Sequence, residues 1–279
     1  MKYVIITGVS SGIGLDATRY LIGKGYHVFG SVRKEIDAIQ LQQEFKHNFT
    51  SLKFDVTKKE EIAAVFPIVE RKLDGQPLSG LINNAGLASG GPMELMDDDK
   101  FRYQLEVNLF GVRNVTNIFL PLLGAQKEFK HKPGKIIMIS SISGVFNTPF
   151  NGAYCVSKHA VESMAEVYRR ELMLYGIDVV SIQPGPIQSD LWKKNIGKYD
   201  EFLDTNYREL MLNAEKVMQA AERNALPAAT ISKLVFKILE KKKSKLAYIV
   251  NKNWLPTVLF VKYMPARWAD KLLWKWMQS

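Results

Sequence analysis

Short runs of β-branched and apolar residues alternate along the chain with longer stretches in which apolar positions recur every three or four residues. The first pattern is that of strands buried on both faces and the second that of helices with one apolar side. Their alternation marks βαβ units closing a parallel sheet. The pattern predicts seven strands, over 3–7, 27–32, 50–54, 80–83, 135–140, 178–183 and 246–250. Helices are predicted over 12–24, 36–45, 58–72, 98–123, 153–175 and 230–241. Gly25 and Gly176 stand where a left-handed residue would end a helix, and Thr57 where an N-cap would begin one. Residues 187–226 fit the alternation least, with Trp192, Phe202, Tyr207, Met211 and Met218 scattered among polar residues, and read as a helical lid over the site. No linker, repeat or low-complexity tract interrupts the rest, so one doubly wound α/β domain is expected over 1–250, followed by an extension over 251–279.

Composition adds little to that picture except at the C-terminal end. Hydrophobic residues make up 47% and charged residues 24%, ordinary for a chain with a packed core. The single cysteine, Cys155, excludes an internal disulfide framework, and no Cys and His spacing resembles a metal site. The N-terminal residues enter a glycine-rich turn before an apolar stretch of signal-peptide length can form. The apolar run at 254–261 contains Pro256 and covers less than half of the ~20 residues a membrane-spanning helix needs. A cytoplasmic chain without a transmembrane span is therefore expected.

Eight of the ten net positive charges fall in residues 241–279, where nine Lys or Arg face one acid, Asp270. The nearly neutral body argues against a nucleic-acid partner and assigns the basic tail a role of its own. Four of the five tryptophans lie there too: Trp254, Trp268, Trp274 and Trp276. As a helix, 266–277 would align Trp268, Leu272, Leu273 and Trp276 in an apolar stripe beside Arg267, Lys271 and Lys275. Such a segment suits the plane of an anionic membrane surface, so peripheral contact through 254–277 is one reading. Packing against the body or a partner subunit is the other, and the sequence weighs them equally.

Three motifs carry chemistry. Thr7-Gly8-Val9-Ser10-Ser11-Gly12-Ile13-Gly14 follows the first strand and opens the first helix, the setting in which glycines let a backbone approach a pyrophosphate at a helix N-terminus. Asn83-Asn84-Ala85-Gly86 ends strand four, on the edge where parallel sheets bind ligands. Tyr154-Cys155-Val156-Ser157-Lys158 lies on a predicted helix, thirteen residues after Ser141 at the end of strand five. The spacing of four puts Lys158 one turn from Tyr154 on one face, where an ammonium would favour the phenolate of a group that titrates near ~10.

Together these residues resemble the short-chain dehydrogenase/reductase family, in order from residue 2 to about 190. The resemblance implies a Rossmann-type domain and a catalytic set of Asn108, Ser141, Tyr154 and Lys158. Tyr154 would be the general acid or base, Ser141 a hydrogen-bond donor to the substrate oxygen, and Asn108 the holder of a water near Lys158. A cofactor would lie against Gly8, Ser10, Ser11, Gly12, Ile13 and Gly14, with Asp55 and Val56 at the adenine and Asn84, Ala85 and Gly86 behind it. Tyr154 and Lys158 would also touch it, Lys158 at the nicotinamide ribose. Pro184, Gly185 and Ile187 match the turn beside the nicotinamide, with Ser189 where the family usually has Thr.

The end of strand two holds no acid before Glu35, and Arg33 is free to pair with a 2′-phosphate, so NADP(H) is favoured and NAD(H) is the alternative. Within the family, the first turn and residues 28–33 resemble members that handle retinoids, steroids and related lipophilic alcohols. A lipophilic alcohol or carbonyl substrate is accordingly expected, as is a homodimer or homotetramer. The competing reading is a dinucleotide-binding sensor or scaffold without activity, against which the complete catalytic set counts. A sugar-nucleotide epimerase or dehydratase would share Tyr-x-x-x-Lys, but its usual glycine turn and longer C-terminal substrate domain are missing.

Overall fold

Every strand of the sheet runs in the same direction, so all seven carboxyl ends meet on one edge. The strands are β1 (Lys2–Ile6), β2 (Tyr26–Val32), β3 (Phe49–Lys53), β4 (Leu78–Asn83), β5 (Lys135–Ile139), β6 (Asp178–Pro184) and β7 (Ala247–Val250). Their order is β3-β2-β1-β4-β5-β6-β7. The computed structural model describes residues 1–189 and 200–278.

Successive side chains of a strand point to opposite faces, and apolar residues at both parities give this sheet two cores. Ile5, Phe29, Ile136 and Met138 face one side, under α3 (Lys59–Leu73), α5 (Gly111–Leu123) and α6 (Gly152–Glu171). Val4, Ile6, Val28 and Ile137 face the other, under α1 (Gly12–Ile22), α2 (Glu35–Phe45) and α8 (Ala229–Glu240). The chain order reverses between β1 and β4, and the crossovers diverge there to opposite faces, which opens a crevice at the carboxyl edge.

The seven strands fall where the hydrophobic pattern puts them, within two residues at each end. Two local expectations are corrected. The single helix expected over 98–123 is three pieces: α4 (Asp98–Leu105), a π-helical turn at Glu106–Phe110, and α5. The wide turn carries Asn108, whose amide is committed to partners outside the helix, and Gly111 just after it admits Val56 closely. Such single π turns are frequent at functional sites. Thr57 does not cap α3, because its hydroxyl donates to Asp55 Oδ1 at 2.8 Å and Lys58 occupies the cap position. Gly25 and Gly176 do adopt left-handed backbone, with φ of 82° and 68°.

Residues 200–226 make an excursion from the sheet that closes on itself. Leu226 N donates to Pro186 O at 3.0 Å and Gln188 N to Leu226 O at 2.9 Å, so the segment returns to where it left β6. It contains a 3₁₀ turn at Asp200–Phe202 and helix α7 (Arg208–Arg223). Phe202 and Met211 are buried in a small satellite cluster with Phe150, Tyr207 and Met218. These side chains thus pack as a small core of their own within the segment read from the sequence as a helical lid; Trp192 lies outside the described residues. After β7 the chain continues into α9 (Trp254–Tyr263) and α10 (Ala266–Met277).

Candidate active site

A cavity of about 480 Å³ opens along the carboxyl edge of the sheet, centred on the gap between β1 and β4. Its floor is built by the first motif. Gly8 has φ of 71°, a conformation costly for residues with a Cβ, and its N–H donates to Ser31 Oγ at 3.1 Å. A Cβ on Gly14 would sit 2.2 Å from Gly8 O and 2.5 Å from Asn84 Nδ2, so only glycine lets the first turn of α1 close on the loop. Asn84 binds the two turns together, donating from Nδ2 to Thr7 O at 2.8 Å and Gly8 O at 3.0 Å. Thr7 Oγ1 accepts from both Asn84 N and Ala85 N at 2.9 Å. The outcome is a rigid backbone cradle at the N-terminus of α1, whose polar loop and helix end fit a dinucleotide pyrophosphate.

The cavity brings together Gly8, Ser10, Ser11, Gly12, Ile13, Arg33, Asp55, Val56, Asn84, Ala85, Gly86, Ser141, Tyr154, Lys158, Pro184, Gly185, Ile187 and Ser189, all singled out from sequence. Gly14 and Asn108 are absent from the lining and stand one layer behind it. Ser31, Lys100 and Tyr103, which sequence reasoning missed, also line the cavity. Lys100, Tyr103 and Val107 are spaced three and four apart and so share one helical face; nothing in the sequence said that this face meets the cleft.

At one end of the cavity, Arg33 projects from the end of β2 with its side chain 65% exposed. Its Nη1 donates to Tyr103 Oη at 3.3 Å and lies 4.0 Å from Asp55 Oδ2. Asp55 is held by its own loop, Oδ1 accepting from Thr57 N at 2.9 Å as well as from the Thr57 hydroxyl.

At the other end stand Ser141, Tyr154 and Lys158. Ser141 Oγ accepts from Ser143 N at 3.0 Å and is also hydrogen-bonded to Tyr154. Tyr154 and Lys158 sit in the first turns of α6 and are both buried. Lys158 Nζ donates to Ile139 O at 2.9 Å and lies 5.7 Å from the centre of the Tyr154 ring. Behind it, Asn108 Nδ2 donates to Leu87 O at 2.8 Å and to Ser157 Oγ at 3.0 Å, while Oδ1 accepts from Leu87 N at 2.9 Å. Ser157 Oγ in turn donates to Tyr154 O at 2.8 Å.

The electrostatics correct one expectation. Burial pushes the Tyr154 phenol up to about 12, and the Ser141 hydrogen bond only partly offsets it. Burial also lowers Lys158 to about 8, with Glu162 acting in the opposite direction. The depressed phenol expected from a neighbouring ammonium is therefore not found in the chain by itself: burial is the largest influence on Tyr154, and the Ser141 hydrogen bond, not Lys158, is what lowers it.

A family model described as short chain dehydrogenase matches residues 2–200. The chain belongs to the short-chain dehydrogenase/reductase family of oxidoreductases. It is 38% identical over 275 residues to an NADPH-dependent 3-dehydrocapnine reductase of Ornithobacterium rhinotracheale, covering 99% of this chain and 97% of that one. It is 36% identical over 194 residues to retinol dehydrogenase 16 of Homo sapiens, 69% of this chain and 59% of the relative. Among solved structures, the closed form of serine dehydrogenase complexed with NADP+ superposes with a TM-score of 0.72 at 21% identity, covering 89% of this chain and 94% of that one.

Proposed function

We propose that the protein uses NADP(H) to interconvert a lipophilic ketone or aldehyde and its alcohol, with Tyr154 as the proton-transferring group. The observation that carries this reading is the convergence of Ser141, Tyr154 and Lys158 at one end of a glycine-built cleft whose other end presents Arg33. When bound, the nicotinamide supplies the hydride and the protein supplies geometry and charge.

Tyr154 is a protonated phenol at neutral pH, pushed up to about 12, so it is ready to donate to a carbonyl oxygen and serves reduction. Ser141, held by the Ser143 N–H and hydrogen-bonded to Tyr154, can turn its one hydroxyl proton to that oxygen as negative charge grows there. Lys158 holds its ammonium beside the ring and within the layer that would receive the ribose. Asn108 and Ser157 fix the start of α6 and hold both catalytic side chains in register.

For the cofactor, Ser10, Ser11, Gly12 and Ile13 form the cradle for the pyrophosphate, and Arg33 suits a 2′-phosphate better than a bare ribose. The NADPH dependence of the 38% identical relative supports that choice. Ile139, Leu87, Val107 and Ile187 give the cleft an apolar wall, which supports a lipophilic substrate. Exposed Phe110, Val156 and Val167 support a homodimer or homotetramer built across α6 and the π turn. Light scattering after gel filtration measures that state.

The deciding experiment follows oxidation of NADPH against a panel of retinoid, steroid and aliphatic aldehydes and ketones, with NADH in parallel. Turnover faster with NADPH on the lipophilic members is the expected result. Background rates with every carbonyl and both cofactors would overturn the reading.

A further inference from the structure

We infer that α9 and α10 form a docking surface for an anionic lipid bilayer, set beside the mouth of the cleft. Three observations combine. The first is an apolar face left open on both helices. On α9, Leu255, Leu259 and Tyr263 recur every four residues and are 57%, 52% and 74% exposed. On α10, Trp268 and Leu272 are 67% and 50% exposed, and Trp274 is 52% exposed. Large apolar side chains scattered singly need no explanation, but six on two consecutive helices do.

The second observation is charge. Arg267, Lys271 and Lys275 are exposed on α10, with Asp270 as the single acid of that helix. Lys271 and Lys275 lie one turn apart beside Trp268 and Leu272, so cations flank the apolar strip. A second copy presenting the same cationic surface would be repelled, whereas anionic headgroups are complementary to it. The opposite side of α10 is already used: Ala269 and Met277 are buried, and Asn213 Nδ2 of α7 donates to Met277 O at 2.9 Å. The helix is thus anchored to the body by one face and open by the other. The stripe expected from sequence divides, with Leu273 turned partly inward; the Trp276 side chain lies outside the described positions.

The third observation is position. Because the sheet is wholly parallel, β7 delivers the tail to the edge that holds the cleft. Asn251, just after β7, packs on Gly185 of the cavity wall, where a Cβ would come within 2.9 Å of its Oδ1. Asn251 Nδ2 also donates to Thr257 Oγ1 of α9 at 2.7 Å. Phe260 meets Phe146, five residues after Ser141, with ring centres 5.0 Å apart. Among the described residues no helix is long and apolar enough to cross a membrane, so the contact is one of helices lying in the interface. A lipophilic substrate dissolved in that bilayer would then enter the cleft from the docked side. Delivery of substrate rests on the proposed reaction; the docking surface does not.

The test is sedimentation of the full chain with vesicles of phosphatidylcholine alone or mixed with phosphatidylglycerol, at low and high salt. The expected result is binding to the phosphatidylglycerol vesicles, a blue shift of tryptophan emission, and release by salt. Lys271→Glu with Lys275→Glu should weaken that binding about tenfold or more, and Trp268→Ala with Leu272→Ala should do the same. Absence of binding by the full chain, or equal binding to both vesicles untouched by these changes, overturns the inference. So does a dimer that Trp268→Ala dissociates, since a second copy would then cover the face. Turnover of a water-soluble carbonyl, expected to be unchanged in these variants, shows that they fold. Vesicle binding without turnover removes the proposed reaction and keeps the surface, while turnover without vesicle binding does the reverse.

Discussion

Glu162 lies one helical turn beyond Lys158 on the same face of α6, its carboxylate fixed by the Ser181 hydroxyl at 2.5 Å and the Gln183 amide at 2.8 Å. Both partners belong to β6, so the sheet itself positions a negative charge behind the buried lysine. Burial brings Lys158 down to about 8, and Glu162 opposes that fall. Lys158 therefore carries its charge below about 8 and loses it above. Glu162→Gln removes the opposing charge, and the alkaline fall of kcat/KM should move to lower pH. A profile superposing on that of the parent chain would rule the charge effect out.

Tyr154→Phe retains the ring against Lys158 and removes the transferable proton. Turnover should fall by about 10²–10⁴-fold with little change in NADPH affinity, as read by stopped assays and by quenching of tryptophan emission. Near-normal turnover would move the proton-transfer role to another group.

Gly14→Ala introduces a methyl 2.2 Å from Gly8 O, so the phosphate cradle must open or α1 must shift. Protection of the fold by NADPH, measured as the rise in Tm on adding cofactor, should be lost in this variant. A rise equal to that of the parent chain would show that the cradle tolerates the change.

Arg33→Ala should raise the KM for NADPH about tenfold and leave that for NADH nearly unchanged, the loss expected of one charge-assisted contact to phosphate. Equal effects on both cofactors would place the guanidinium in loop support, through Tyr103 and Asp55, and not in cofactor choice.

His27 is buried between Tyr3 and Phe29, and burial, with Lys72 adding to it, lowers the imidazole to about 4. The unfolded chain takes up this proton near 6.5, before the folded chain does, so the contribution of His27 to stability is lost as pH falls from 6.5 towards 4. His27→Phe, which preserves a ring at that place, should flatten the fall of Tm over this window. A slope identical to the parent's would assign the acid sensitivity elsewhere.

Most of the fold was legible in the chain because strands buried on both faces run mostly apolar, as β5 does after Lys135, even though β2, buried along its whole length, keeps His27 and Ser31 inside. The cradle was legible for a related reason: Gly8 and Gly14 occupy places where backbone conformation or close approach leaves no room for a Cβ, so sequence and geometry state one constraint. Tyr154, Lys158 and Ser141 were readable as a set through their order along the chain.

What lay beyond the sequence are relationships between distant segments. Tyr103 of α4 meets Arg33 just after β2 through one hydrogen bond, and Asn108 reaches Leu87 and Ser157 from the π-helical turn between α4 and α5. Helical periodicity marks a face but not what covers it: Met211 and Phe202 turned out to be a satellite core, while Trp268 and Leu272 stayed open. The raised phenol of Tyr154 had the same origin. Spacing of four brings a cation near, but the balance between attraction and desolvation depends on how deeply the packed chain buries both groups, and only the tertiary structure decides that depth.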